Sequence, residues 1–267
     1  MKKKLLVAGS ILSSVLLSST IFAGGGKWED LFDQKLSERK KETKAEILKI
    51  GQEFEISPKV DTIVMGLSWE PEDKSTSLDY DLALFPYYVP NGILNMNKKK
   101  RLLQIVDYKN LQVRQPDFPN NAIDHRGDDI KGNRKNSDGD NEQIRINLSQ
   151  IKAGFAKFRK VRNMVATISS SDGDSFTLAK EAFFRITETK VGTWDTEERE
   201  LARFYLDGLD ETKGVIIGHL YYNKSRDRWI FKAEGKDVEA VKDYGTVAPS
   251  DMEETIKRMV RTHAASS

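Results

Sequence analysis

The chain has 267 residues, of which 38% are hydrophobic and 31% charged, and its formal net charge is +2. This length and composition are typical of a globular protein that buries a sizeable core in one or two domains. The absence of cysteine excludes disulfides, iron–sulfur clusters, thiolate zinc sites and a cysteine nucleophile. The three histidines, His125, His219 and His263, are too scattered to predict a zinc site, and each is expected to be structural or exposed.

The N-terminus has the pattern of a secretory signal peptide over residues 1–25. Three lysines precede an apolar, serine-rich run at residues 5–22, and small residues follow at 23–26. We therefore predict an exported protein, periplasmic or secreted. The alternative is an uncleaved membrane anchor, which the hydroxyl residues in the run disfavour. Loss of residues 1–23 would remove three lysines and leave a net charge of −1, so no basic character remains to favour nucleic-acid binding.

Apolar residues at helical spacing predict a helix near each end of the chain. The first is predicted over residues 27–49, from the spacing of Trp28, Leu31, Phe32 and Leu36, with Gly51 after its end. The second is predicted over residues 250–263, because Ser250 and Glu253 form a capping box ahead of the stripe Met252, Ile256, Met259 and Val260.

Short segments of alternating or continuous apolar residues between these helices predict β-strands. They are Glu53–Ile56, Thr62–Leu67, Asp79–Phe85, Leu102–Val106, Ile144–Leu148, Asn163–Ile168, Ala182–Thr187, Leu201–Leu206, Gly214–Tyr222 and Arg228–Ala233. No helix-length apolar pattern separates consecutive strands, which favours antiparallel sheets over a parallel α/β sheet. The predicted fold class is therefore all-β, an antiparallel β-sandwich with an N-terminal helix and a short C-terminal helix. Trp69, Trp194 and Trp229 are expected in its core.

An oxygen-rich loop over residues 128–142 runs into the strand predicted at Ile144. It contains five carboxylates, asparagine amides and two glycines, and it offers no nitrogen or sulfur ligand. Calcium takes about six to eight oxygen ligands and tolerates irregular geometry, so this composition suits it. The spacing does not fit an EF-hand. The alternative is an ordinary solvated loop, since Asp, Asn and Gly are common in surface turns.

Asp79 and Asp81 are two residues apart on a predicted strand, and Asp138 and Asp140 repeat that spacing. Two carboxylates so placed project from one face of a strand, about 6 to 7 Å apart. A divalent ion shared between the two pairs would cancel their repulsion. The alternative is that Asp79 and Asp81 face water while the residues between and beside them face the core.

Signatures of catalysis are weak. Residues 66–70, Gly-Leu-Ser-Trp-Glu, begin like a nucleophile elbow but lack its second glycine. The sequence has no phosphate loop, dinucleotide fingerprint or His-Glu-x-x-His motif. We predict that the protein is not an enzyme. Two alternatives remain: an exported hydrolase that uses paired carboxylates, and an adhesion or interaction module that uses the N-terminal helix.

Segments in the same order along residues 48–246 resemble the TerD family of tellurium-resistance and stress-response proteins. The most specific are His125-Arg126-Gly127-Asp128-Asp129 with Gly132, and Asp138-Gly139-Asp140-Asn141-Glu142. Weaker matches are residues 49–52, 64–70, 79–85, 107–111, 181–186, 200–204 and 229–233. The chain departs from the family pattern at Ser68, Glu70, Asn141 and Tyr205, and in its signal-like N-terminus, because relatives are typically intracellular.

The resemblance implies a β-sandwich over residues 48–246 that binds calcium through its acidic loops and is associated with stress resistance. Together with the residue patterns, it predicts an exported, non-enzymatic calcium-binding domain in which the ion orders those loops. The predicted ligands are Asp79, Asp81, Asp128, Asp129, Asn133, Asp138, Asp140, Asn141 and Glu142. The sequence names no protein partner, and membrane contact is expected only through an uncleaved N-terminal segment.

Overall fold

The structure is a computed structural model that describes residues 44–73, 77–89, 101–115, 118–129, 139–156, 160–171, 174–189, 198–206, 209, 214–238 and 258. This part of the chain forms twelve β-strands in two sheets, with one α-helix of six residues and two short 3-10 turns. The prediction of an all-β chain is therefore confirmed. No helix in the described ranges is long and apolar enough to cross a membrane.

The strands, in chain order, are β1 (Glu46–Ile47), β2 (Glu53–Glu55), β3 (Thr62–Pro71), β4 (Tyr80–Val89), β5 (Arg101–Leu102), β6 (Ile123–His125), β7 (Glu142–Asn147), β8 (Lys160–Ser170), β9 (Ala179–Thr189), β10 (Glu198–Tyr205), β11 (Gly214–Asn223) and β12 (Arg228–Asp237). The helix α1 spans Leu148–Ala153, and the 3-10 turns span Gly154–Ala156 and Phe176–Leu178. The first sheet has the order β1-β10-β9-β3-β7-β6, and the second has the order β2-β12-β11-β8-β4-β5.

Pairing within the sheets is antiparallel except at one edge. In the first sheet β3 pairs antiparallel with both β7 and β9. In the second sheet β8 pairs antiparallel with both β4 and β11. The exception is β1, which pairs parallel with β10, so the prediction of purely antiparallel sheets is wrong at this edge.

One buried cluster takes apolar side chains from both sheets. Trp69 on β3 and Leu82 on β4 belong to it, and the rings of Phe184 and Phe231 stack in it with centroids 5.5 Å apart. A second, smaller cluster includes Ala83 and Phe85, which alternate with the core residues of β4 and so face away from the first cluster. Trp69 and Trp229 are buried as predicted, and Trp194 lies outside the described residues.

The N-terminal helix predicted over residues 27–49 is wrong at its C-terminal end, because Glu46–Ile47 form β1. Ile47 and Leu48 are buried, and the Leu48 amide donates to the Arg203 carbonyl oxygen at 2.8 Å. Glu46 and Ile47 pair with the edge strand β10 although the apolar residues before them have helical spacing. A short apolar segment does not specify a helix by itself. Residues 27–43, like the predicted signal peptide, lie outside the described residues. Of the helix predicted over residues 250–263, only Arg258 is described, and it is helical.

All ten predicted strands differ from the observed strands in at least one bound, most visibly at residues 102–106 and 144–148. Of the first, only Leu102 lies in a strand, at the end of Arg101–Leu102, although Val106 makes an isolated bridge to Leu84. The second ends at Asn147 rather than Leu148, because Asn147 caps α1 by accepting a hydrogen bond from the Gln150 amide at 2.9 Å. The sequence patterns predicted neither α1 nor the three-residue strand β6.

Candidate metal centre

Four of the predicted ligands lie where β7 of the first sheet contacts β4 of the second. Glu142 begins β7 in the first sheet, opposite Leu67 of β3. Its side chain crosses to the second sheet, where Oε2 accepts a hydrogen bond from the Leu82 amide of β4 at 2.5 Å. Asp81 immediately precedes Leu82, and Asp128 follows β6, which neighbours β7. Residues distant in the sequence are thus brought to one place.

Asp79, Asp81 and Asp128 form a cluster that we call the acidic triad. One carboxylate oxygen from each residue can be chosen so that all three lie within 4.8 Å of one another. Calcium–oxygen bonds are about 2.3 to 2.6 Å long, so two ligands of one ion lie up to about 5 Å apart. Asp81 is buried, Asp79 half-buried and Asp128 exposed, so the triad opens to solvent on one side.

Glu142 lies behind the triad and is completely buried. Its Oε1 has no hydrogen-bond partner among the described residues, and its Oε2 lies 3.7 Å from His125 Nε2. Burial raises the pKa of Glu142 well above its usual range, the Leu82 amide opposes that rise, and Asp128 and Asp79 add to it. A buried carboxylate oxygen without a partner is costly, and a cation would satisfy it. The donor set therefore fits a hard, oxygen-seeking ion.

Asp81 is 3% exposed, so its carboxylate, like that of Glu142, is costly to ionise without a positive charge nearby. Burial is the main cause that raises its pKa to about 7, and Glu142 adds to the rise, whereas the Ser171 hydroxyl opposes it by donating to Oδ2. The alternative that this aspartate simply faces water is therefore wrong, although Leu78, Tyr80 and Leu82 do face the core, as that alternative supposed. The segments that carry Glu142 and Ser171 cover it.

Asp129 and Asn141 hold the surrounding segments together. The Asn141 side chain accepts a hydrogen bond from the Trp69 amide and donates one to Asp129 Oδ2, both at 2.8 Å. Both residues are buried. They therefore join the loop after β6 and the start of β7 to β3, which fixes the position of neighbouring Asp128 and Glu142.

Asp140 has protein partners for both carboxylate oxygens. Oδ1 accepts from Arg185 Nε at 2.7 Å and Oδ2 from Gln143 Nε2 at 3.0 Å. A Cβ at position 66 would overlap this carboxylate, so the close approach of Asp140 to β3 requires Gly66. Because the Arg185 guanidinium already neutralises it, Asp140 is suited to joining β3, β7 and β9 rather than to binding the ion directly.

The structure thus brings together four of the predicted ligands: Asp79, Asp81, Asp128 and Glu142. Asp129 and Asn141 lie beside them, and Asp140 is paired with Arg185. Asn133 and Asp138 lie outside the described residues.

Two residues near the site were absent from the predicted ligands. His125 on β6 is buried, and burial lowers the pKa of its imidazole, although Asp107 and Asp128 act in the opposite direction. Asp107 is completely buried in the segment that follows β5. Its Oδ1 accepts from the amides of Lys109 at 3.1 Å and Asn110 at 2.7 Å, which makes a turn. A sequence signal existed, since Asp107 directly follows the strand predicted at 102–106, but nothing indicated which strands it would lie beside.

Comparison with known proteins identifies related sequences. The family model of the TerD domain matches residues 45–241. The chain is 27% identical over 180 residues to tellurium resistance protein TerZ of Serratia marcescens, which covers 64% of this chain and 77% of that protein. It is 27% identical over 191 residues to the uncharacterized protein YceE of Bacillus subtilis (strain 168), covering 69% and 87%. It is 25% identical over 206 residues to general stress protein 16U of the same organism, covering 73% and 94%.

Among solved structures, the chain is similar to the crystal structure of a homologue of telluride resistance protein (TerD) from Streptomyces coelicolor. The TM-score is 0.46 at 15% sequence identity, and the match covers 71% of this chain and 99% of that chain.

Proposed function

Because the chain belongs to the TerD domain family, we propose that it is an exported calcium-binding protein of the stress-response and tellurium-resistance group. The names of two relatives, a tellurium resistance protein and a general stress protein, support the biological association. The signal-like pattern of residues 1–25 supports export.

The acidic triad is the observation that carries the proposal. Its three carboxylates come from two separate parts of the chain and lie within 4.8 Å of one another, with the buried Glu142 next to them. A protein that gains stability from packing does not gather like charges unless something compensates them. When bound, calcium would supply that compensating positive charge.

The residues near the ion have two roles: some supply oxygens to it, and others hold the segments that carry those ligands. Asp79, Asp81 and Asp128 supply carboxylate oxygens to the ion, and Glu142 Oε1 supplies another from the buried side. Asp129 and Asn141 hold the loop and strand that carry these ligands. The ion thereby connects β4 of the second sheet to the loop after β6 of the first, and fixes the surface that these segments form.

We propose that the two sheets pack face to face as a β-sandwich, since one buried cluster takes side chains from both. The domain binds its ion and presents a surface, and the proposal gives it no catalytic role.

Calorimetric titration of calcium chloride into the full chain tests the proposal. Replacing Asp81 and Asp128 by Asn removes two triad charges and is expected to weaken calcium affinity at least about tenfold, or ~1.4 kcal/mol. Asp124→Asn is the matched control, because it removes a nearby charge that pairs with Arg126 at 3.5 Å, outside the triad. Absence of calcium heat from folded wild-type protein would refute the proposal, as would equal affinity in the double variant.

A further inference from the structure

Asp107 lies on a segment that crosses from one sheet to the other beside the acidic triad. Val106 exchanges two backbone hydrogen bonds with Leu84 of β4, each 2.9 Å long. A few residues later, the Leu111 carbonyl oxygen accepts from the His125 amide of β6 at 2.7 Å. Asp107 therefore lies between the strand that carries Asp81 and the strand that leads to Asp128.

The two carboxylate oxygens of Asp107 have different environments. Oδ1 accepts hydrogen bonds from the Lys109 amide, the Asn110 amide and Asn110 Nδ2, the last at 3.2 Å. Oδ2 is buried and has no hydrogen-bond partner within the described part of the chain. The turn thus uses one oxygen only, and the second is a fully buried acceptor of the kind that proteins rarely leave unsatisfied.

The charge of Asp107 acts in the same region as the triad. Burial raises the pKa of Tyr108, and Asp81, Asp107 and Asp128 raise it further. Asp107 is also the strongest of the charges that oppose the lowering of the His125 pKa, ahead of Asp128 and Asp81. No ion pair among the described residues neutralises it. The chain therefore buries a further carboxylate in the region of acids that already repel one another.

We propose that Asp107 is a further member of the cation site, one that holds the ion by supplying a buried negative charge behind the acidic triad. This inference rests on the proposed calcium-binding function. Asp107 is not in the group whose oxygens lie within 4.8 Å of one another, so it makes no bond to the ion, and the ion offsets the burial of its unpartnered Oδ2 through space. The competing explanation is that Asp107 only forms the turn at Lys109 and Asn110.

The variant Asp107→Asn separates these two explanations. An asparagine side chain keeps an Oδ1 that can accept the three hydrogen bonds of the turn, but it carries no charge. We expect calcium affinity, measured by calorimetry on the full chain, to fall at least about tenfold. The melting temperature in excess chelator should stay equal or rise, because the ion-free protein loses a repulsive charge. Asp124→Asn, whose charge is paired with Arg126, should change neither quantity.

Three results would overturn the inference. If Asp107→Asn binds calcium as tightly as wild type, the charge does not act on the ion. If the variant melts well below wild type in chelator, the charge already has a stabilising partner within the protein. If wild type itself binds no calcium, the proposed function fails as well, which distinguishes that outcome from the first two.

Discussion

Asp81 illustrates at the scale of one residue why we propose a cation at this site. It is 3% exposed, its carboxylate lies near Glu142, Asp79 and Asp128, and the Ser171 hydroxyl opposes the resulting rise of its pKa. A carboxylate in this environment is expensive to ionise unless a positive charge comes with it. Folding therefore creates a position that favours either a proton or a cation.

Proton binding at Asp81 predicts the pH dependence of the calcium-free protein. Its pKa rises from 3.8 to about 7 on folding, so the folded chain binds a proton more tightly than the unfolded chain. Stability is then highest below the unfolded pKa and falls as the pH rises from about 4 to about 7, by up to about 1.4 kcal/mol per pH unit. Glu142 changes stability in the same direction, because its pKa is also raised.

Urea unfolding in chelator at pH 5, 6, 7 and 8 measures this dependence. The wild type should lose stability across the series, and Asp81→Asn should show a smaller loss, because the amide does not titrate. A stability that rises steadily with pH would contradict the assigned direction. In excess calcium the trend should reverse, since protons compete with the ion for the same oxygens.

At the scale of single residues, the sequence predicted four of the acids that the structure brings together. The two-residue spacing of Asp79 and Asp81, together with the acidic signature, was enough to select Asp128 and Glu142 as neighbours. The partners of Asp140 were not predictable, because Arg185 lies 45 residues away on β9 and only the strand order brings them together. Asp107 was missed for the same reason, since its neighbours are set by how its segment crosses between the sheets.

At the scale of elements, β7 and α1 form a continuous unit next to the site. β7 begins with Glu142, which reaches β4, and ends at Asn147, which caps α1. Leu148 and Ile151 attach α1 to the core. The alternation of Ile144, Ile146 and Leu148 predicts a strand through Leu148, and only recognition of Asn147 as a helix cap would indicate the change from strand to helix there.

Removal of the Asn147 cap should destabilise this unit. Asn147 Oδ1 accepts from the Gln150 amide at 2.9 Å and the Ser149 hydroxyl at 3.1 Å. Asn147→Ala should lower the free energy of unfolding by about 1 kcal/mol, measured by urea denaturation, whereas Asn147→Asp should retain most of it. Equal losses in both variants would show that Asn147 contributes through its strand position and not through the cap.

At the scale of the whole molecule, the sequence predicted the class of fold but not its topology. Strand periodicity located most strands, since each has a buried face that alternates or is fully apolar. The order of strands within the sheets and the parallel pairing of β1 depend on which edges meet, and no local pattern specifies that. The meeting of β4, β6 and β7 is such a long-range feature, and it creates the acidic triad.

The most direct test of the account is the melting temperature of the full chain in excess calcium and in excess chelator. Calcium at a hundredfold excess over its Kd should add about 2.7 kcal/mol of stability, or roughly 5 to 10 °C, and the variant with Asn at positions 81 and 128 should lose half of this shift or more. Identical melting temperatures of folded wild-type protein in calcium and in chelator would contradict the account.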